Sequence, residues 1–277
     1  MTNPVARVEA SGVAQPETGL PELFTPLVVA GDWHGDQGWA ATVIRSAARE
    51  GAKTIIHVGD FALDWPGFKR GRYEDRLNRQ LAALDVTLIV SGGNHDNWET
   101  LAKLHVGADG LATIRSHIRV IPRGGRTQIS GLVVGALGGA FSVDQEHRTE
   151  GKDWWSNEEP TLAEAESLIS GGHIDILISH DAPSGVPVVG GFVLTAELAS
   201  KAEKTRNLLS EVVAALAPVQ VFCGHWHQRV IHNHVHADGR TTRIDVLDKE
   251  YSREGNAVLV RRARGQLGIE PLTVRGN

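Results

Sequence analysis

The sequence predicts an α/β protein organised on a parallel sheet. Two observations carry that prediction. Strand-like and helix-like periods alternate through the first ninety residues as two successive strand-helix-strand units, the pattern of parallel sheets. In addition, five short apolar runs each finish on Asp, His or Asn. Leu27-Val28-Val29-Ala30 leads into Gly31-Asp32-Trp33-His34, Thr54-Ile55-Ile56-His57-Val58 into Gly59-Asp60, and Val86-Thr87-Leu88-Ile89-Val90 into Gly92-Gly93-Asn94-His95-Asp96. Further along, Ile174-Asp175-Ile176-Leu177-Ile178 ends at Ser179-His180-Asp181, and Val219-Gln220-Val221-Phe222-Cys223 at Gly224-His225-Trp226-His227. The ends of parallel strands share one edge, where open α/β folds bind their ligands.

Taken in order, residues 1–24 are rich in Pro, Gly, Glu, Ala and Thr without periodicity and read as a loose arm. Residues 25–277 show no clear internal boundary and read as one domain. After the first strand, Ala40, Val43, Ile44, Ala47 and Ala48 fall on one face of a helix over 39–49, which Gly51 closes. A polar loop over 61–72 follows the second strand. Leu77, Leu81 and Leu84 then form the stripe of a helix over 73–84, and 98–104 reads as a short helix. Close-spaced strands are expected over 118–121, 127–129 and 132–137, before a long Gly-rich segment over 138–160. Thr161-Leu162-Ala163-Glu164 has the form of a capping box opening a helix that ends before Gly171-Gly172. Residues 182–187 form an irregular loop. Leu198, Thr205, Leu209, Val212 and Leu216 sit at the spacing of a core-facing helix up to Pro218, and 229–236, 243–247 and 257–260 read as strands.

Composition excludes several classes. With 277 residues, 41% hydrophobic and 22% charged, the chain has the make-up of a globular protein with a sizeable core. A formal net charge of −5 offers no broad basic surface for duplex nucleic acid or anionic membrane. No run approaches the ~18 apolar residues of a membrane span, and no signal peptide is evident, so the expected location is cytoplasmic. Cys223 is the only cysteine, which rules out an intramolecular disulfide; its place in an apolar run reads as a buried, inert thiol.

The order Asp-x-His, Gly-Asp, Gly-Asn-His-Asp, Ser-His, Gly-His-x-His over roughly residues 27–230 resembles the calcineurin-like metallophosphoesterase superfamily. The resemblance implies a four-layered αββα sandwich, with two mixed β-sheets face to face, helices outside and a metal site at the C-terminal strand ends. The strands over 118–137 and those after the last motif resemble the antiparallel second sheet of such proteins. Phosphate-ester hydrolysis needs a nucleophile at neutral pH and relief of phosphoryl charge, and two metals about 3.5–4 Å apart supply both. By resemblance, Asp32, His34, Asp60 and His227 hold one divalent ion and Asp60, Asn94, His180 and His225 the other, with Asp60 bridging. Mixed imidazole, carboxylate and amide ligation suits Mn²⁺, Fe or Zn²⁺ better than Ca²⁺. His95 is implied to contact phosphate and protonate the leaving group, with Asp96 orienting its ring and a pKa near the unperturbed value.

The implied activity is hydrolysis of phosphate mono- or diesters by a metal-bound hydroxide. The stretch Phe61-Ala62-Leu63-Asp64 and the acid of Gly93-Asn94-His95-Asp96 depart from the Asp-Arg-Gly and Gly-Asn-His-Glu of protein phosphatases, which favours small phosphoesters or nucleotides as partners. A nuclease acting on single strands or ends is the alternative enzyme, and a non-catalytic metal-binding scaffold the alternative outside enzymes. Asp64 is expected behind the ligands. His57, His105, His117, His147 and His173 match no family position and read as structural or exposed; His232, His234 and His236 share one face of a strand. Within 138–159, Arg148, Trp154 and Trp155 are expected to bind substrate, Arg by bidentate phosphate contact and the indoles by stacking, or else the tryptophans pin the loop to the domain.

Overall fold

A computed structural model describes residues 24–275 except 192 and 264. The arm expected over residues 1–24 therefore lies, apart from Phe24, outside the described residues. Among them the elements run β1 (Leu27–Ala30), α1 (Gln37–Arg49), β2 (Thr54–His57), α2 (Arg72–Leu84), β3 (Thr87–Val90), α3 (Trp98–Leu101), β4 (Ala112–Arg115), β5 (Ile118–Val120), β6 (Arg126–Ile129) and β7 (Leu132–Leu137). There follow α4 (Leu162–Ser170), β8 (Ile176–Ser179), α5 (Ala196–Leu216), β9 (Gln220–Cys223), β10 (Val230–Val235), β11 (Thr241–Val246), β12 (Ala257–Ala263) and β13 (Gln266–Pro271). Local chemistry sets the helix starts. Asp36 accepts the Trp39 N–H at 2.7 Å to cap α1, and Thr161 and Glu164 make the reciprocal pair of a capping box on α4.

The strands form a seven-stranded sheet in the order β13-β12-β1-β2-β3-β5-β4 and a six-stranded sheet in the order β10-β11-β9-β8-β7-β6. Strand alternation sorts the apolar side chains into three buried clusters. Val28, Ala30, Leu88 and Val90 point from the first sheet onto Val43 and Ile44 of α1 and Leu77 and Leu81 of α2. Leu27, Val29, Ile56 and Ile89 point the other way, onto Val134, Ile176, Ile178 and Phe222 of the second sheet. The far face of that second sheet, with Leu177, Val221 and Cys223, is covered by Leu168 of α4 and by Leu209 and Val212 of α5. Helix, sheet, sheet, helix is the result, the four-layered αββα sandwich. Each fully buried aliphatic side chain contributes about 1.5–3 kcal/mol, and the inter-sheet layer has the most to lose: Phe222→Ala would cost roughly 3–5 kcal/mol.

The second sheet is not purely antiparallel. β7, β8, β9 and β11 run parallel, and only the edge strands β6 and β10 are antiparallel to their neighbours. Two strands expected in that sheet belong to the first. β5 pairs in parallel with β3, and its Ile118 and Val120 pack in the layer under α1 and α2. β12 pairs antiparallel with β1. Its run Ala257–Val260 is buried on both faces, which demands a covered position inside a two-sided sheet. β4 and β13, short and polar at the sheet edges, have no clear sequence signal. The five polar strand ends accordingly come from two sheets, β1, β2 and β3 from one and β8 and β9 from the other, and meet above the apolar layer between them.

Candidate metal centre

Seven side chains converge at that junction. Asp32, His34 and His227 offer donor atoms within 4.8 Å of one another, and so do Asp32, Asp60 and His180. Asp32 is common to both groups, and Asp60 of the second also faces His34 of the first. Its Oδ2 lies 3.4 Å from His34 Nε2 and its Oδ1 3.2 Å from His180 Nε2. Asp32 Oδ2 is 3.3 Å from His227 Nε2, and Asn94 Oδ1 is 3.0 Å from His180 Nε2. His225 belongs to neither three-residue group; its ring centre stands 5.1 Å from that of His180. Backbone geometry is committed to this arrangement. His34, Asp60, His225 and His227 all hold left-handed φ values of 42–65°, a costly conformation for residues with a Cβ. Gly93 and Gly224 are required by close approach: a Cβ on the first would collide with Asp60, and on the second with the Asp32 carboxylate.

Groups behind them fix which atom His180, His34 and Asn94 present. His180 Nδ1 is 3.2 Å from the Val58 carbonyl, so Nδ1–H donates there and Nε2 is left for the centre. Glu250 does the same for His34, its Oε2 2.8 Å from Nδ1. The Asn94 amide is oriented by donating to Ser142 Oγ at 3.0 Å, and Ser142 in turn donates to Glu158 through both its N–H and its hydroxyl. Asn256, fully buried, accepts the indole N–H groups of Trp33 and Trp39 and donates to the carbonyls of Asp32 and Asp248. It ties the Asp32 turn to the loop that carries Glu250. Glu250, Ser142, Glu158 and Asn256 have no sequence signal that would single them out.

The charge balance favours cations. Burial works against charge on His34 and His180, yet Asp60 outweighs it and raises them to about 10 and about 9. Burial would likewise raise Asp60, but the His180 and His95 imidazoles hold it well below the usual carboxylate range. Burial, reinforced by His180, lowers His225 to about 3, leaving a neutral imidazole with a lone pair to share. Once His34 and His180 give up the protons that Asp60 holds on them, carboxylates, imidazole nitrogens and an amide oxygen aimed at one another are the donor set of a borderline divalent cation. The residues fit such ions.

The sequence profile of the calcineurin-like phosphoesterases matches residues 25–229. The chain belongs to this family. No curated protein sequence matches it significantly. Solved structures share the fold at low identity. TT1561 of Thermus thermophilus superposes with a TM-score of 0.56 at 13% identity, covering 90% of this chain and 99% of its own. A dimetal phosphatase from Danio rerio superposes with a TM-score of 0.53 at 10% identity, covering 90% and 96%.

Within the calcineurin-like frame, the remaining expected site residues divide. His95 lies at the centre: its N–H donates to Asp60 Oδ1 at 2.8 Å, and its Nε2 is 4.0 Å from Asp60 Oδ2. Arg148 spans the ring, Nη1 2.8 Å from Nδ1 and Nη2 2.9 Å from Nε2. Burial lowers the His95 pKa and Arg148 lowers it further, although Asp60 pulls the other way; the near-unperturbed value expected is not found. Asp96 does not orient that ring. Its carboxylate accepts the N–H groups of Gly93 and Leu63, each at 2.7 Å, and so pins the loop on which Asn94 and His95 stand. Trp154 and Trp155 do not line the clefts around the centre. Trp155 is buried and meets Trp65 edge-on at 5.6 Å, which is the pinning role. Asp64 pairs with Arg70 at the surface. His57 is a buried neutral ring against Trp33, and His232, His234 and His236 line one side of β10 and its end.

Two clefts flank His95, which lines both. One, about 570 Å³, includes Asp60, Asn94, Arg148, His225, His227 and Lys249. The other, about 600 Å³, runs from His34 and His95 along the loop after β2.

Proposed function

We propose that the chain is a dinuclear metal-dependent phosphoesterase acting on small phosphate mono- or diesters or nucleotides. The observation that carries this is the disposition of Asp60: each carboxylate oxygen faces a different imidazole, His34 on one side and His180 on the other, as a bridging ligand requires. Asp32, His34 and His227 complete one side, Asn94, His180 and His225 the other, and Mn²⁺, Fe or Zn²⁺ suits the mixed donors. When bound, two such ions supply the Lewis acidity that activates water and offsets phosphoryl charge.

The chain's own residues do the rest. Arg148 and Lys249 line the cleft beside Asp60 and bring positive charge to phosphoryl oxygens. His95 is neutral in the free site, with Arg148 against it. Movement of the guanidinium from the imidazole to a phosphoryl oxygen frees His95 Nε2 and removes one of the influences that lower its pKa, burial being the largest. His95 takes up a proton from solvent at Nε2 and donates it to the leaving-group oxygen, while Asp96 keeps the loop in place. Ser142 and Glu158 hold the Asn94 amide with its oxygen inward.

A panel of phosphomonoesters, linear diesters, cyclic nucleotides and labelled oligonucleotides, assayed with each of the three metals, tests the reading. Metal-dependent turnover of small esters is expected. Turnover confined to oligonucleotides would make the chain a nuclease, and metal binding without any turnover would make it a scaffold.

A further inference from the structure

We infer that the cleft along the loop after β2 is a subsite for a planar aromatic arm of the phosphoester, an aryl ring or a nucleobase. The inference rests on the phosphoesterase reading and adds the substrate's organic side to it. Four observations carry it. The cleft, about 600 Å³, has the size of a small-molecule pocket and is mostly apolar, with Trp65, Pro66, Phe68 and Tyr73 on its walls. It is continuous with the candidate metal centre, because His34 and His95 form part of its lining. A phosphoryl group at the centre can therefore project an ester substituent into it.

The aromatic geometry is the third observation. Trp65 lies 30° from the plane of His95 with ring centres 6.3 Å apart, so an indole that lines the cleft stands next to the reacting position. Phe68 is 90% exposed, and its ring contact is Arg72, 5.3 Å from the ring centre. A phenyl ring left in water at the mouth of an apolar cleft gains surface burial when a second flat group enters. The fourth is charge. Among the described residues no carboxylate lines the cleft, whereas Lys69 and Arg70 do, with Arg70 paired to Asp64. That suits an arm attached to an anionic phosphate.

Base–aromatic stacking amounts to about a 5- to 150-fold gain in affinity per ring. The test is calorimetric binding of phenylphosphonate and the non-hydrolysable methylenephosphonate analogue of adenosine 5′-monophosphate against methylphosphonate, on metal-loaded wild type, Phe68→Ala and Trp65→Leu. Phe68 is exposed, so Phe68→Ala leaves the fold intact even where Trp65→Leu does not. Wild type is expected to prefer phenylphosphonate to methylphosphonate by roughly 10-fold or more, and Phe68→Ala to cut that ratio at least about 3-fold. Preference for the nucleotide beyond phenylphosphonate identifies a nucleobase as the arm; parity between them identifies an aryl ring. A ratio near one in wild type, a ratio unaltered in both variants, or no phenylphosphonate binding overturns the subsite. Because binding is read without turnover, an aromatic preference without hydrolysis would sink only the hydrolase reading. Hydrolysis without an aromatic preference would sink only the subsite.

Discussion

Asn256→Ala is the perturbation whose size follows most directly from the structure. The side chain is fully buried and makes four hydrogen bonds: it accepts Trp33 Nε1–H at 3.2 Å and Trp39 Nε1–H at 2.8 Å, and donates to the Asp32 carbonyl at 3.1 Å and the Asp248 carbonyl at 2.8 Å. Truncation strands two donors and two acceptors in a buried place, each at a cost of roughly 1 kcal/mol or more. The expected loss is about 4 kcal/mol, which in a domain of this size lowers Tm by roughly 8–16 °C. Asn256→Asp should be at least as damaging at neutral pH, since it retains the acceptor for the indoles but turns a carboxylate oxygen toward two carbonyls. Urea unfolding monitored by tryptophan fluorescence reads the loss. The same samples should bind metal more weakly, because Asn256 joins the Asp32 turn to the loop bearing Glu250. A loss below about 1 kcal/mol for Asn256→Ala would refute the argument that this residue holds the two loops together.

Three further outcomes are expected. Glu250→Ala removes the partner of His34 Nδ1 and should weaken metal binding roughly 10- to 100-fold, with Glu250→Gln less affected; equal affinity in all three proteins by competition titration would contradict it. Asp60→Ala should lose both ions and Asn94→Ala mainly one, as counted by elemental analysis; two ions retained in Asp60→Ala would sink the bridging assignment. For His57, burial lowers the folded pKa to about 3, below the unfolded value near 6.5. The neutral ring therefore contributes its full stability above about pH 6.5 and loses it as pH falls toward 3, on the order of a few kcal/mol in all. His57→Phe should flatten that acid limb, and an unchanged slope of stability against pH would contradict it.

Much of the site was readable in the sequence because its donors stand directly after apolar strands, and Gly93 and Gly224 mark where backbone must pass a carboxylate. The layers were readable from strand and helix periods for the same reason. Sheet membership was not: β5 and β12 have ordinary apolar runs, and only the core each face meets decides which sheet takes them. Asn256 and Glu250 were unreadable because the partners that tie them to the site, Trp33, Trp39 and Asp32 for the one and His34 for the other, lie more than 200 residues away. No periodicity announces such contacts. Asp96 shows the opposite failure, since its place in the motif suggested a bond to His95 whereas its carboxylate is occupied by the backbone of its own loop and of Leu63.

The proposed function requires metal-dependent phosphoester hydrolysis at the Asp60 junction. The direct measurement is Mn²⁺ titration of the chelator-treated protein, counting bound ions and the rate of p-nitrophenyl phosphate hydrolysis in the same samples. The prediction is no turnover without metal and a rate that saturates as about two ions bind per chain. Two bound ions with no hydrolysis of this ester or any other phosphoester, or full turnover in the chelated protein, would contradict it.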